Sequence, residues 1–81
     1  MTDLPNIGPV LAGNLERIGV TGADQLRELG AEEAFLRIRA QADPTACLHQ
    51  LEALVGAVEG VRKNLLPSER KAELKAWFKN L

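Results

Sequence analysis

The residues of this chain best suited to chemistry are not side chains of the kind that break bonds. They are the backbone groups of a turn, Leu4-Pro5-Asn6-Ile7-Gly8-Pro9, which opens directly into an apolar-periodic segment. A turn of this kind gathers N–H groups at a helix N-terminus, where unpaired donors and aligned peptide dipoles favour an anion such as phosphate. Asn6, Ile7 and Gly8 are therefore the candidate phosphate-binding residues. A second candidate is a column of lysines, Lys71, Lys75 and Lys79, whose four-residue spacing puts them on one face of a helix, away from Leu74, Trp77 and Phe78. With Arg62 and Lys63 nearby in sequence they form a candidate basic surface for phosphates or an acidic partner. The plainer reading of the column is a solvated face near a helix C-terminus, where cations suit the dipole.

Nothing else in the chain assembles into a catalytic set. His49 falls opposite the apolar stripe of its segment, with no Ser, Cys or Asp placed by sequence to make it a base. Cys47 falls on the stripe side, where a free thiol behaves as a small hydrophobe. One cysteine and one histidine make neither a disulfide nor a zinc site. Glu32 and Glu33 are adjacent, so on a helix they point apart and complement the dipole instead of sharing a metal. The expectation is no catalytic residue, no metal, no cofactor and no small-molecule substrate, because no two catalytic residue types converge at a useful spacing.

The positioning elements follow from periodicity. No segment alternates apolar and polar residues long enough for a strand, whereas apolar residues at helical spacing recur throughout, which predicts an all-α chain of five helices. Helix 1 is expected from Pro9 to about Ile18, with Leu11, Leu15 and Ile18 on one face and Gly19 as its stop. Helix 2 begins near Thr21 or Gly22, with Asp24 or Gln25 able to reach back to the cap, and ends at Gly30. Helix 3 covers about Ala31 to Ala42, with Phe35 and Ile38 inward. Helix 4 is expected from Pro44 to Glu59 behind an Asp43 N-cap, with a stripe of Cys47, Leu48, Leu51, Leu54, Val55 and Val58. Ala46, Ala53, Gly56 and Ala57 form a ridge of small residues on its other side, which permits close approach of another helix or of a second copy of the chain. After Gly60, a connection over 61–66 leads to helix 5, with Pro67 at or near its first position and Leu74, Trp77, Phe78 and Leu81 buried.

Eighty-one residues make a single domain, 1–81, whose core is large enough to fold alone. At 46% hydrophobic, 26% charged and net −1, the composition argues against disorder and against a membrane span. Met1-Thr2-Asp3 carries an acid where a secretory signal carries positive charge, and with a lone cysteine this predicts a reducing, cytoplasmic setting. The near-neutral total hides a polarity: residues 1–60 carry a net −5, residues 61–81 a net +4.

The first thirty residues, Leu4-Pro5-x-Ile7-Gly8-Pro9 with Ala12 and Leu15, then Gly19-Val20, Leu26 and Leu29, resemble helix-hairpin-helix domains. That likeness implies a hairpin whose amides hold a nucleic-acid phosphate without reading sequence. The chain departs from the pattern at Asn6, where a glycine is common, and at Val10, where many DNA-binding members have a lysine. Asn tolerates the left-handed conformation better than most residues. The blocks Leu26-Arg27-Glu28-Leu29-Gly30-Ala31, Ala34-Phe35-Leu36-Arg37, Cys47-Leu48, Glu59-Gly60 and Leu66-Pro67-Ser68-Glu69-Arg70-Lys71-Ala72-Glu73-Leu74 continue the match. In order over nearly the whole chain, they are similar to the C-terminal domain of the TfoX family of bacterial competence regulators. The resemblance implies a compact helical domain linked to competence regulation, and it supplies no catalytic residue. Between a protein-interaction domain and a sequence-independent DNA binder, electrostatics favours the former, since non-specific DNA affinity comes from neutralised phosphates and the hairpin half carries −5. A protein partner, with self-association as one form of it, is therefore expected ahead of weak DNA binding.

Overall fold

The computed structural model describes residues 4–81; the acid at Asp3 lies outside the described residues. Five α-helices, and no strand among the described residues, make the fold: α1 (Pro9–Arg17), α2 (Ala23–Leu29), α3 (Ala31–Gln41), α4 (Leu48–Glu59) and α5 (Ser68–Lys79), with a 3₁₀ turn at Lys63–Leu65. The all-α class read from periodicity is the one observed.

Local chemistry explains most boundaries. Pro9 occupies the first position of α1, and Gly19, at φ +86°, ends it as the Val20 amide donates back to the Leu15 carbonyl over 2.9 Å. Gly22 caps α2, and the Gln25 side-chain oxygen accepts from the amides of Thr21 (2.7 Å) and Gly22 (3.3 Å), the reach-back anticipated from the sequence. Gly30, at φ +87°, is at once the end of α2 and the N-cap of α3, so the two helices join without a loop.

The start of α4 differs from the expectation. The helix begins at Leu48 behind Cys47, not at Pro44 behind Asp43. Asp43 spends its capping ability on a separate turn: its Oδ1 accepts from the Thr45 amide (2.9 Å) and hydroxyl (2.6 Å), and its carbonyl accepts from Ala46. Cys47 is extended, at φ −113° and ψ 178°, which breaks helical continuity and leaves the thiol exposed rather than on the core stripe. At the far end Pro67 is the N-cap of α5 and not a helical residue. Leu81 is 51% exposed, because α5 stops at Lys79 and the Asn80 side chain closes it on the Ala76 carbonyl. The expected burial of Leu81 is thereby overturned.

The core is built on α3 and α4, which pack on each other; α1 and α2 lie against α3, and α5 against α4. Phe35, Ile38, Leu51, Leu54 and Leu15 are completely buried. Trp77 and Phe78 are half-buried and set their rings 6.2 and 5.9 Å from that of Phe35, while the Arg39 guanidinium lies over both phenylalanines. Arg70 ties three helices together, 3.4 Å from Glu59, 3.9 Å from Glu32 and 4.0 Å from Glu73.

Two outcomes follow. Leu51→Ala should cost about 2–5 kcal/mol of stability in chemical denaturation, as a large-to-small change in a packed core, whereas His49→Ala at an exposed site should stay within about 0.5 kcal/mol. The Thr45 hydroxyl and amide hold the Asp43 carboxyl below its ordinary value of 3.8. A carboxyl so lowered stabilises the fold above its ordinary value and loses that contribution as pH falls through the lowered midpoint. Carboxyl-detected NMR should find the Asp43 midpoint below 3.8 and should see it rise in Thr45→Ala.

Candidate functional site

The opening turn is held in place from within. Asn6 adopts φ +69°, in the left-handed region that suits glycine and, next, asparagine. Its side chain then points inward across the chain: Nδ2 donates to the Val61 carbonyl over 2.9 Å and, more weakly, to that of Ala53 at 3.5 Å, and Oδ1 accepts from the Lys63 amide over 2.9 Å. One side chain thus joins the turn to α4 and to the connection that follows it. The amide sits directly over Gly56, where an added Cβ would stand 2.5 Å from the Val61 carbonyl oxygen and collide with Asn6 Nδ2. The ridge of small residues on α4 is therefore filled by the chain itself. Ala46, Gly56 and Ala57 are buried and offer no surface for a second copy, whereas Ala53 keeps a 6% exposed edge on a groove open to solvent.

This arrangement redistributes the candidate phosphate-binding residues. The Asn6 side chain is committed to its internal bonds, and Ile7 is buried, its amide donating to the Leu4 carbonyl at 3.4 Å. Gly8 is exposed and extended at the N-cap of α1, with no side chain to satisfy the helix's first amides and no acid in its first turn. Among the described residues, the amides of Gly8, Val10 and Leu11 find no acceptor.

The same latch carries two of the basic residues to the turn. Arg62 lines an open cavity of about 480 Å³ with Leu4, Pro5, Asn6, Ile7 and Gly8. Lys63 lines a second, more apolar groove of about 340 Å³ that shares Asn6 and Gly8 with the first, and whose walls include Pro9, Val10 and Leu11 from α1 and His49, Gln50 and Ala53 from α4. Lys71, Lys75 and Lys79 line neither: Lys75 and Lys79 are exposed on α5 and Lys71 is half-buried. The five basic candidates therefore divide into a pair at the turn and a column elsewhere.

Sequence reasoning missed Val10, Gln50 and Ala53 as members of this surface. Val10 did carry a signal, since it falls outside the Leu11 and Leu15 face, and it is 75% exposed. His49 is exposed as expected, and its Nδ1 lies 3.9 Å from Glu52. Among the described residues no three His, Cys, Asp or Glu side chains gather as metal ligands, and no helix is long and apolar enough to cross a membrane.

Comparison with known proteins adds context to this geometry. Residues 1–78 match the family described as the TfoX C-terminal domain. The whole chain is 35% identical to Protein Sxy of Escherichia coli (strain K12), and it spans 38% of that protein's length. Two crystal structures of Listeria monocytogenes proteins, one an uncharacterized protein in triclinic form and one of unknown function in tetragonal form, share the fold with a TM-score of 0.93 and 40% identity. Each matches 98% of this chain, over 89% and 95% of its own length respectively.

The latch predicts opposite signs at two glycines. Gly56→Ala should destabilise the fold in thermal or urea denaturation, since both clashing groups are fixed. Gly13→Ala, in the open middle of α1, should stabilise it by about 0.5–1 kcal/mol. Asn6→Ala should cost about 1–3 kcal/mol, and Asn6→Gly less, because glycine keeps the positive φ while losing the bonds.

Proposed function

The chain belongs to the TfoX C-terminal domain family, and from that premise we propose that it is a non-enzymatic regulatory domain of competence control, acting by binding a protein partner. The observation that carries this reading is the groove beside Asn6, where Val10 stands 75% exposed on an apolar floor bordered by Lys63. An exposed apolar side chain at a concave surface with a polar rim is the composition of a protein-binding site. His49 lines the groove beside Glu52, but no Ser, Thr or Cys lines either cavity and no metal set gathers there among the described residues, which supports the non-catalytic reading. The expected setting is the bacterial cytoplasm, in keeping with the lone thiol of Cys47.

A second reading has its own observation. Arg62 and Gly8 wall one cavity, so a cation lies beside the N-terminal amides of α1, the two groups that a DNA phosphate would need. Two basic residues neutralise few phosphates, and the binding this supports is weak and indifferent to sequence.

The two readings separate in one pair of measurements. A pull-down from a bacterial extract should retain a protein partner after nuclease treatment. Anisotropy with a labelled duplex should give a dissociation constant near or above ~10⁻⁴ M at physiological salt, and changing Lys71, Lys75 and Lys79 together to Gln should lower the salt slope by about 0.9 for each lysine that meets a phosphate. Sub-micromolar duplex binding at about 150 mM salt would reverse the ranking.

A further inference from the structure

We propose that the groove between the start of α1 and α4 receives an acidic, apolar segment of a partner protein, its apolar side chains resting on Val10 and Ala53 and its carboxylates facing Lys63 and Arg62. This rests on the protein-binding reading and narrows it to a site and a partner chemistry. The groove is assembled from three separated stretches of chain, around residues 8–11, 49–53 and 63, and at about 340 Å³ it lies in the lower part of the ~300–1,000 Å³ range of binding clefts. Its floor is apolar, and Val10 leaves an aliphatic side chain in solvent that burial under a partner would remove from water.

Charge selects the occupant. Arg62 and Lys63 are exposed, and neither has a carboxylate within 4.0 Å among the described residues, in contrast to Arg27, Arg37 and Arg70, which do. The amides at the start of α1 add partial positive charge on the same side, with no acid in the first turn to offset it. The Glu52 side chain, on the same helix as the wall residues Gln50 and Ala53, is 16% exposed and lies 3.9 Å from His49. Among the described residues the charges without an ion-pair partner beside this apolar floor are therefore of one sign, which an acidic amphipathic segment complements. A DNA backbone would satisfy the cations and leave Val10 and Ala53 against phosphate and water. A two-fold pairing of this face with itself would set Arg62 and Lys63 against their own copies.

The test is an amide NMR titration of the full 81-residue chain with three probes: a synthetic amphipathic peptide of Leu and Glu, its Leu and Lys counterpart, and a 20-base-pair duplex. The Leu–Glu peptide should shift the amides of Gly8, Val10, Leu11 and Lys63 saturably, while the Leu–Lys peptide leaves them unmoved. Val10→Ser and the double change Arg62→Glu with Lys63→Glu should each weaken that binding about ten-fold or more. Both variants should stay folded, because Val10 is exposed and the Asn6 bond uses the Lys63 backbone. Unfolding of both would count against the placement of these side chains outside the core, and so against the proposal. Absence of saturable shifts at millimolar Leu–Glu peptide, equal binding by the Leu–Lys peptide, indifference of both variants, or tighter binding of the duplex to the same amides would each overturn it. If the Arg62/Lys63 variant still retains a protein partner in the nuclease-treated pull-down, the groove is wrong and the protein-binding reading stands. If the unchanged chain retains none, the broader reading fails instead.

Discussion

Asn6 is the point on which the functional side of this molecule depends. Its amide closes two 2.9 Å hydrogen bonds, to the Val61 carbonyl and the Lys63 amide, across more than fifty residues of sequence. Those bonds form only because three local conditions coincide. The backbone at Asn6 is left-handed, which turns the side chain inward; Gly56 has no Cβ where the amide must sit; and Gly60, also at positive φ, ends α4 so that Val61 and Lys63 pass beside the turn. A buried or half-buried amide is costly to leave unpaired, so the latch favours one arrangement of turn and connection over looser ones. That single arrangement sets Arg62 and Lys63 at the turn, in the walls of two cavities that share Asn6 and Gly8.

The latch is effective because α4 is rigidly placed. Leu51, Leu54 and Val55 on one side and Ala53, Gly56 and Ala57 on the other are all buried, so little of the helix is free to rotate. On the far side, Phe35 receives Trp77 and Phe78 from α5, and Arg70 draws the acids of α3 and α4 to the same helix. Partly exposed ion pairs contribute little individually, typically about 0–1 kcal/mol, so α5 is attached chiefly by its apolar side chains, the buried Leu74 with Trp77 and Phe78 against Phe35, and the Arg70 cluster adds to them. The basic connection is thus gripped at both ends, by Asn6 before it and by α5 after it.

Charge polarity along the chain acquires a spatial meaning from this construction. The basic excess of residues 61–81 divides, with Arg62 and Lys63 delivered to the acid-poor start of α1 and the lysines of α5 left on another surface. In this member of the TfoX C-terminal domain family, the part of the surface with basic side chains, an exposed apolar side chain and amides that find no acceptor among the described residues lies at the turn. An apolar floor of this kind rewards a partner that can lose water from its own side chains, which is the physical basis for proposing a polypeptide there ahead of a phosphate chain.

Helix number and class, the glycine stops at Gly19, Gly30 and Gly60, the Gln25 reach-back and the burial of Phe35, Ile38 and Leu51 were legible in the residues, because each depends on groups a few positions apart or on a 3.6-residue period. The left-handed tolerance of Asn6 was legible for the same reason. The late start of α4 was harder to see: Asp43 has the same local bonds to offer a helix or a turn, and only the observed geometry, with its carboxylate on Thr45, distinguishes them. What the small residues of α4 are for was not legible at all. Their pattern permits close approach, and the sequence does not say by what; the tertiary structure answers with the chain's own Asn6. The same holds for the groove, whose walls come from residues more than forty positions apart. Periodicity and capping are local, so the sequence alone determines the helices, whereas the side chain that fills a gap and the charges that share a surface are decided by non-local packing, which exists only once the chain has folded.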